Sequence, residues 1–105
     1  MKQRFKSRIN KIVELTQERA NHIFEFHPDV KPYLSGIAAT LTNPDEIRRS
    51  KHDIEILLFY KKFFIKNRRR KYLAVVVKVN ERNFVLTCYL TDKILTGEKI
   101  YGKNK

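Results

Sequence analysis

The sequence predicts an α+β fold in which N-terminal helices pack on an antiparallel sheet of three or four strands. Two observations favour this fold class. Apolar residues recur at helical spacing in the first half of the chain, and the second half consists of β-branched and aromatic runs with short connections. The 105 residues, 42% of them hydrophobic, are enough for one domain with its own core.

The chain divides into four consecutive parts by composition and pattern. They are a basic N-terminal arm (1–11), a helical half (12–45), an antiparallel sheet (46–92) and a C-terminal tail (93–105). The tail contains enough apolar residues for a last short element against the sheet.

Two helices are predicted in the helical half. The first runs from about 17 to 26, with Thr16 as its N-cap and Pro28 beyond its end. The second runs from about 30 to 42, where apolar residues form a single stripe. Residues 12–15 form either a short strand or the lead-in to the first helix.

The predicted strands lie at 46–51, 55–64, 71–79 and 83–91. Short connections favour antiparallel pairing of consecutive strands. Alternation in the last strand places Cys88 on the face that the helices cover, and Thr87 and Tyr89 on the opposite face. The cross-strand register is open, and one register brings Lys78 beside Thr87.

The net charge of +12 lies in two stretches. Residues 1–11 contain five basic residues and residues 61–71 contain seven, with no acidic residue in either stretch. Such patches bind polyanions through phosphate contacts that do not read sequence. The residues predicted to bind a polyanion such as RNA are Lys61, Lys62, Arg68, Arg69, Arg70 and Lys71 of the second stretch, together with Lys78 outside it. Neither stretch has the apolar face of a helix that binds membrane surfaces.

Several classes of protein are disfavoured by composition. No apolar run is long enough to span a membrane, and the basic start is not followed by the apolar segment of a secretory signal, so we expect a cytoplasmic protein. The single Cys88 excludes an intramolecular disulfide. His22, His27 and His52 lack the spacing of a metal motif, and we expect neither a metal nor another cofactor.

Five segments resemble a known family. They are TQERANHI, HPDVKPYL, NPDEIRRSK, KYLAVVVK and FVLTCYLTDKILTGE, and together they span roughly residues 12 to 101. They look like small bacterial and phage proteins of the superfamily of barnase, EndoU, tRNase-colicin and RelE-like nucleases. The resemblance implies a RelE- or barnase-like α+β fold and metal-independent cleavage of RNA between helix and sheet. It also implies an acidic antitoxin or immunity protein as a potential partner.

The family pattern is carried over residue by residue. Its helix motif falls on Glu18, Arg19, His22 and Ile23, its His-Pro pair on His27 and Pro28, and its sheet motif on Thr87 and Tyr89. The chain departs from the pattern at Ala20, where the family has Trp, and at Cys88, where it has Ala or Ser. Without the Trp, stacking of a base at this point is in doubt.

The chemistry of RNA cleavage suggests a role for each residue. His22 is the candidate general acid or base, because an imidazole titrates near neutral pH. Arg19 would clamp the phosphate, and Thr87 and Tyr89 would donate hydrogen bonds from the sheet. His27 is a further candidate, although it lies about 140° around a helix from His22. The alternative function is a nucleic-acid-binding module, or an inactive relative, with the same fold and no turnover.

Overall fold

The computed structural model describes residues 2–33, 35–65 and 69–102, with the backbone alone at 64, 65, 69 and 70. Seven strands lie in the described part of the chain: β1 (Lys2–Lys6), β2 (Ile12–Thr16), β3 (Glu46–Arg49), β4 (Ile56–Ile65), β5 (Arg69–Val79), β6 (Asn83–Thr91) and β7 (Glu98–Gly102). The described helices are α1 (Gln17–Phe26), a 3₁₀ helix (Pro28–Tyr33) and α2 (Ser35–Thr42).

All seven strands belong to one mixed sheet in the order β1-β2-β6-β5-β4-β3-β7. The strands β2 and β6 pair in parallel, and the other neighbours are antiparallel. The predicted fold class, helices on a three- or four-stranded antiparallel sheet, is therefore wrong. The prediction failed because β1, β2 and β7 join the sheet through partners that no local pattern reveals.

The N-terminal stretch begins with a strand of the sheet. The strand β1 pairs with β2 from Lys2 opposite Thr16 to Lys6 opposite Ile12, and Phe5 packs against the core. Polar and basic residues at the other positions hide this strand in the sequence, because only one of its five side chains is strongly apolar. Asn10 in the connecting turn has a φ of 63°, a conformation that asparagine tolerates better than most residues.

The first predicted helix is confirmed, and the second is confirmed only in its later part. The hydroxyl of Thr16 caps α1 by accepting a hydrogen bond from the Arg19 N–H at 3.1 Å. The stretch after α1 forms a 3₁₀ helix that contains Pro32, and α2 begins at Ser35. Proline lacks an N–H and disfavours the α conformation in the residue before it, so one continuous helix is not available here. Within the described residues, no helix is long and apolar enough to cross a membrane.

The predicted antiparallel run from β4 to β6 is confirmed, but β6 contains a bulge. Val77 lies opposite Val85 and Val76 lies opposite Thr87, so Leu86 is the extra residue. Strict alternation would place Val85 and Thr87 on the same face of the sheet. Because of the bulge, Val85 instead lies on the face of Cys88, and both are buried in the core that the helices cover. The short element that the C-terminal tail was predicted to form is the strand β7, which pairs with β3.

The sheet buries apolar side chains on both faces. The main core lies between the sheet and the helices and includes Val13 and Leu15 of β2, Ile23 of α1 and Phe59 of β4. A smaller cluster on the opposite face is centred on Tyr60. Because β2 contributes two side chains to the main core, it is an integral strand of the fold.

Leu15→Ala is expected to lower the free energy of unfolding by about 2 to 5 kcal/mol, because the Leu15 side chain is 4% exposed in the main core. Urea denaturation followed by circular dichroism measures the change. The same substitution at Leu95, which is 57% exposed, should alter the free energy by no more than about 0.5 kcal/mol. Equal losses at the two positions would contradict a core role for β2.

Candidate functional site

A pocket of about 470 Å³ opens where β2, β6 and α1 meet. The strands β2 and β6 pair only at Glu14 and Phe84, and α1 begins at Gln17, directly after β2 ends. The chain therefore turns away from β6 at this point and leaves a cleft beside it. The pocket is lined by Glu14, Thr16, Glu18, Arg19, His22, Arg82, Phe84 and Val85.

Two of the predicted catalytic residues, Arg19 and His22, lie together in this pocket. They are three residues apart on α1, and Glu18 precedes His22 by four, so all three side chains share one face of the helix. The Thr16 cap fixes the start of α1 and thereby the position of Arg19. The side chain of His22 is exposed, so its imidazole is accessible to a ligand.

Two aromatic rings lie near the polar residues of the pocket. The Phe26 ring lies 4.7 Å from the His22 imidazole, centroid to centroid, and Phe26 is 64% exposed. Phe84 lines the pocket from β6. The resemblance put base stacking in doubt because Ala20 stands where the family has Trp, but Phe26 and Phe84 supply aromatic surface from other positions.

Glu14 and Arg82 are functional candidates that the sequence did not reveal. The Glu14 carboxylate lies 3.6 Å from Lys2 Nζ, 3.4 Å from Arg4 Nε and 3.8 Å from Arg82 Nη2. Three cations around one carboxylate leave an excess of positive charge around Glu14, which lines the pocket. No sequence signal links these residues, because β1, β2 and the turn before β6 meet only through the pairing of the sheet.

The other predicted residues of the sheet lie outside the pocket. Thr87 pairs with Val76, and Tyr89 packs against the smaller cluster on the opposite face. The Tyr60 hydroxyl at the centre of this cluster accepts the Leu95 N–H at 3.2 Å. Burial, with a further contribution from Tyr60, raises the pKa of Tyr89 to about 12. A phenol that stays neutral and packs against this cluster is better suited to fixing the sheet than to proton transfer.

His27 belongs with Tyr89 rather than with His22. Its ring centroid lies 6.0 Å from that of Tyr89. His27 is the C-cap of α1, and its backbone N–H donates to the Ile23 carbonyl at 2.7 Å. The predicted catalytic set is thus divided: Arg19 and His22 line the pocket, and His27, Thr87 and Tyr89 lie outside its lining.

Lys78 does not lie beside Thr87. It is opposite Phe84 in the register, and its ammonium is 2.7 Å from Asp53 and 3.3 Å from Glu55. The hydrogen bond with Asp53 raises the pKa of Lys78 and lowers that of Asp53. The predicted RNA contact of Lys78 would have to compete with these two carboxylates.

The predicted RNA-binding residues of the stretch 61–71 differ in their surroundings. The Lys61 ammonium donates to the Asn43 carbonyl at 3.0 Å, that of Lys62 lies 5.6 Å from the Tyr72 ring centroid, and that of Lys71 lies 3.6 Å from Asp92. Arg68 lies outside the described residues, and Arg69 and Arg70 are described by their backbone in β5. The three lysines therefore already make contacts within the protein with which RNA would have to compete.

The described residues offer no metal-binding site and no cysteine nucleophile in addition to this pocket. There, no three His, Cys, Asp or Glu side chains converge in a way that could hold a metal ion. Cys88 is buried in the main core, and burial raises the pKa of its thiol to about 12. A thiol that keeps its proton at neutral pH is a poor nucleophile.

Tyr89→Phe is expected to weaken the dependence of stability on pH above pH 10. The pKa of Tyr89 is about 12 in the folded protein and about 10 for an ordinary tyrosine, so the unfolded chain loses its proton first as the pH rises. Raising the pH from 10 to 12 therefore favours unfolding, and the variant lacks this contribution. Urea denaturation across this range measures both proteins, and parallel curves would contradict the prediction.

Neither protein-family models nor curated proteins nor solved structures give a match to this chain. The resemblance seen in its motifs therefore stays a hypothesis, and a function has to be argued from the geometry of the pocket.

Proposed function

We propose that this protein is a metal-independent endoribonuclease that cleaves RNA by attack of a ribose 2′-hydroxyl on the adjacent phosphodiester. One observation carries the proposal. The imidazole of His22, the carboxylate of Glu18 and the guanidinium groups of Arg19 and Arg82 line a single pocket. These groups cover proton acceptance, proton donation and stabilisation of the phosphorane.

The reaction needs no nucleophile from the protein. The 2′-oxygen forms a bond to phosphorus while the bond from phosphorus to the 5′-oxygen breaks. One proton passes from the 2′-hydroxyl to a base, and another passes from an acid to the departing 5′-oxygen. The products carry a 2′,3′-cyclic phosphate and a 5′-hydroxyl.

We assign the base to Glu18 and the acid to His22. Glu18 has no ion-pair partner among the described residues, whereas the Glu14 carboxylate is already engaged by Lys2, Arg4 and Arg82. An imidazole with a pKa near 6.5 is available as an acid close to neutral pH. The two side chains are one helical turn apart on α1.

Arg19 and Arg82 hold the phosphate in this proposal. Guanidinium groups bind phosphate oxygens with paired hydrogen bonds and stabilise the charge that builds up in the transition state. Phe84 forms the apolar wall of the pocket, on which a base can pack. We place the activity in the cytoplasm, which is supported by RNA as the substrate and by the single unpaired Cys88.

His22→Ala is expected to reduce the rate of RNA cleavage by about 100-fold or more, because general acid catalysis contributes about 10²- to 10⁴-fold. The assay follows labelled RNA in EDTA and identifies the 2′,3′-cyclic phosphate on the product. His52→Ala is the matched control, since His52 is exposed in the loop between β3 and β4. Cleavage by folded His22→Ala at the parent rate would contradict the proposal, as would loss of parent activity in EDTA.

A second candidate function, RNA binding without turnover, is favoured by the charge distribution. The stretches 1–11 and 61–71 account for the whole net charge, whereas the lining of the pocket contains two cations, Arg19 and Arg82. A protein that only held RNA would need these cations and would not need Glu18 or His22. Tight binding with no cleavage in the EDTA assay would support this candidate.

Replacing Arg68, Arg69 and Arg70 by Ala is expected to flatten the salt dependence of RNA binding. Each phosphate contact to a single strand contributes about −0.7 to the slope of log K against log salt, so three lost contacts change it by about 2. Filter binding over a range of salt concentrations measures the slope. A triple variant at the exposed Lys31, Lys51 and Lys93 removes the same charge, and equal slopes for the two triple variants would contradict a specific role for the arginines.

A further inference from the structure

A second cavity of about 460 Å³ lies at the turn between β1 and β2, against the end of α2. It is lined by Lys6, Ser7, Arg8, Asn10 and Thr42. The lining contains two cations and the amide of Asn10, and it contains no carboxylate. The hydroxyls of Ser7 and Thr42 already donate to the carbonyls of Lys11 and Lys6, at 2.7 and 3.2 Å. This composition fits an anion with several oxygen acceptors, such as a phosphate.

The turn that forms this cavity is held in place by hydrogen bonds. The Ser7 N–H and hydroxyl both donate to the Lys11 carbonyl, at 2.9 and 2.7 Å, and the Asn10 N–H donates to the Ser7 carbonyl at 3.0 Å. The Arg8 N–H donates to the Leu41 carbonyl of α2 at 2.8 Å. A turn fixed in this way binds a ligand with little further loss of conformational entropy.

The two cations of the cavity differ from the neighbouring cations of β1 and of the turn before β6. Lys6 and Arg8 form no ion pair within the described residues, whereas Lys2, Arg4 and Arg82 share Glu14. The Arg8 guanidinium lies over the Tyr101 ring at 4.7 Å, which orients its plane and leaves its N–H groups free for a ligand.

We propose that this cavity is a phosphate subsite that binds the backbone of the RNA whose cleavage is proposed above, and the assignment of RNA rests on that function. Lys6 and Thr16 lie at opposite ends of the β1–β2 pair, four residues or about 14 Å apart. At a rise of about 3.4 Å per stacked nucleotide, this distance corresponds to about four nucleotides. Lys2 and Arg4 lie along β1 between the pocket and the cavity.

A purely structural role makes a different prediction. The carbonyl end of α2 lies at this cavity, and cations near the C-terminus of a helix stabilise it. If Lys6 and Arg8 serve only that purpose, their loss lowers the melting temperature and leaves RNA binding unchanged at temperatures where the variant is folded.

The test compares Lys6→Gln/Arg8→Gln with the matched double variant Lys51→Gln/Lys93→Gln, which removes equal charge from exposed positions elsewhere. For RNA of eight nucleotides, kcat/KM of the first variant should fall about tenfold or more, as expected for loss of a charge-assisted contact. For a dinucleotide, which cannot reach the cavity, kcat/KM should be unchanged. An equal loss in both variants, or no loss in either, would overturn the subsite.

Binding of a 2′-O-methyl octanucleotide separates this proposal from the ribonuclease proposal, because this probe has no 2′-hydroxyl to react. For this probe, the slope of log K against log salt should become shallower by about 1.4 in Lys6→Gln/Arg8→Gln, the value expected when two contacts to phosphates of a single strand are lost. If the parent protein cleaves no RNA but this slope falls, the subsite stands and the ribonuclease is refuted. If the parent cleaves RNA and the slope is unchanged, the subsite is refuted and the ribonuclease stands.

Discussion

The parallel contact between β2 and β6 is the constraint on which the pocket depends. It joins the N-terminal β1–β2 pair to the antiparallel strands of the second half, and a single register pair, Glu14 with Phe84, makes the connection. Val13 and Leu15 stabilise it by filling the main core on the helix side. Since α1 starts as soon as β2 ends, the same contact fixes where the Arg19 and His22 face of the helix meets the sheet.

The distribution of charge follows from this arrangement. Basic residues of β1 converge with Arg82 on Glu14 beside the pocket. Lys6 at the far end of the same strand and Arg8 in the turn after it form no ion pair in the described structure. The N-terminal stretch is therefore a row of cations supported by a sheet. Ordering these side chains on a rigid strand lowers the entropic cost of binding a polyanion along it.

Local features of the fold could be predicted from the sequence, and non-local ones could not. The α1 helix and its Thr16 cap depend on residues within a few positions of one another, and the strands β4 to β6 have short connections and strong apolar patterns. The bulge at Leu86 leaves no mark on the pattern, because Phe84, Val85 and Leu86 are all apolar and their order does not show which residue is the extra one. In β1, only Phe5 signals the core, and four polar neighbours conceal it.

The sequence by itself determined that Glu18, Arg19 and His22 share one face, because helical geometry relates residues three and four apart. It also determined where the positive charge lies along the chain. Only the tertiary structure decided that Glu14 and Arg82 complete the pocket while Tyr89 and His27 lie outside it. These relations depend on which strands pair and in what register, and pairing between distant segments is selected by burial of the whole core rather than by any local pattern.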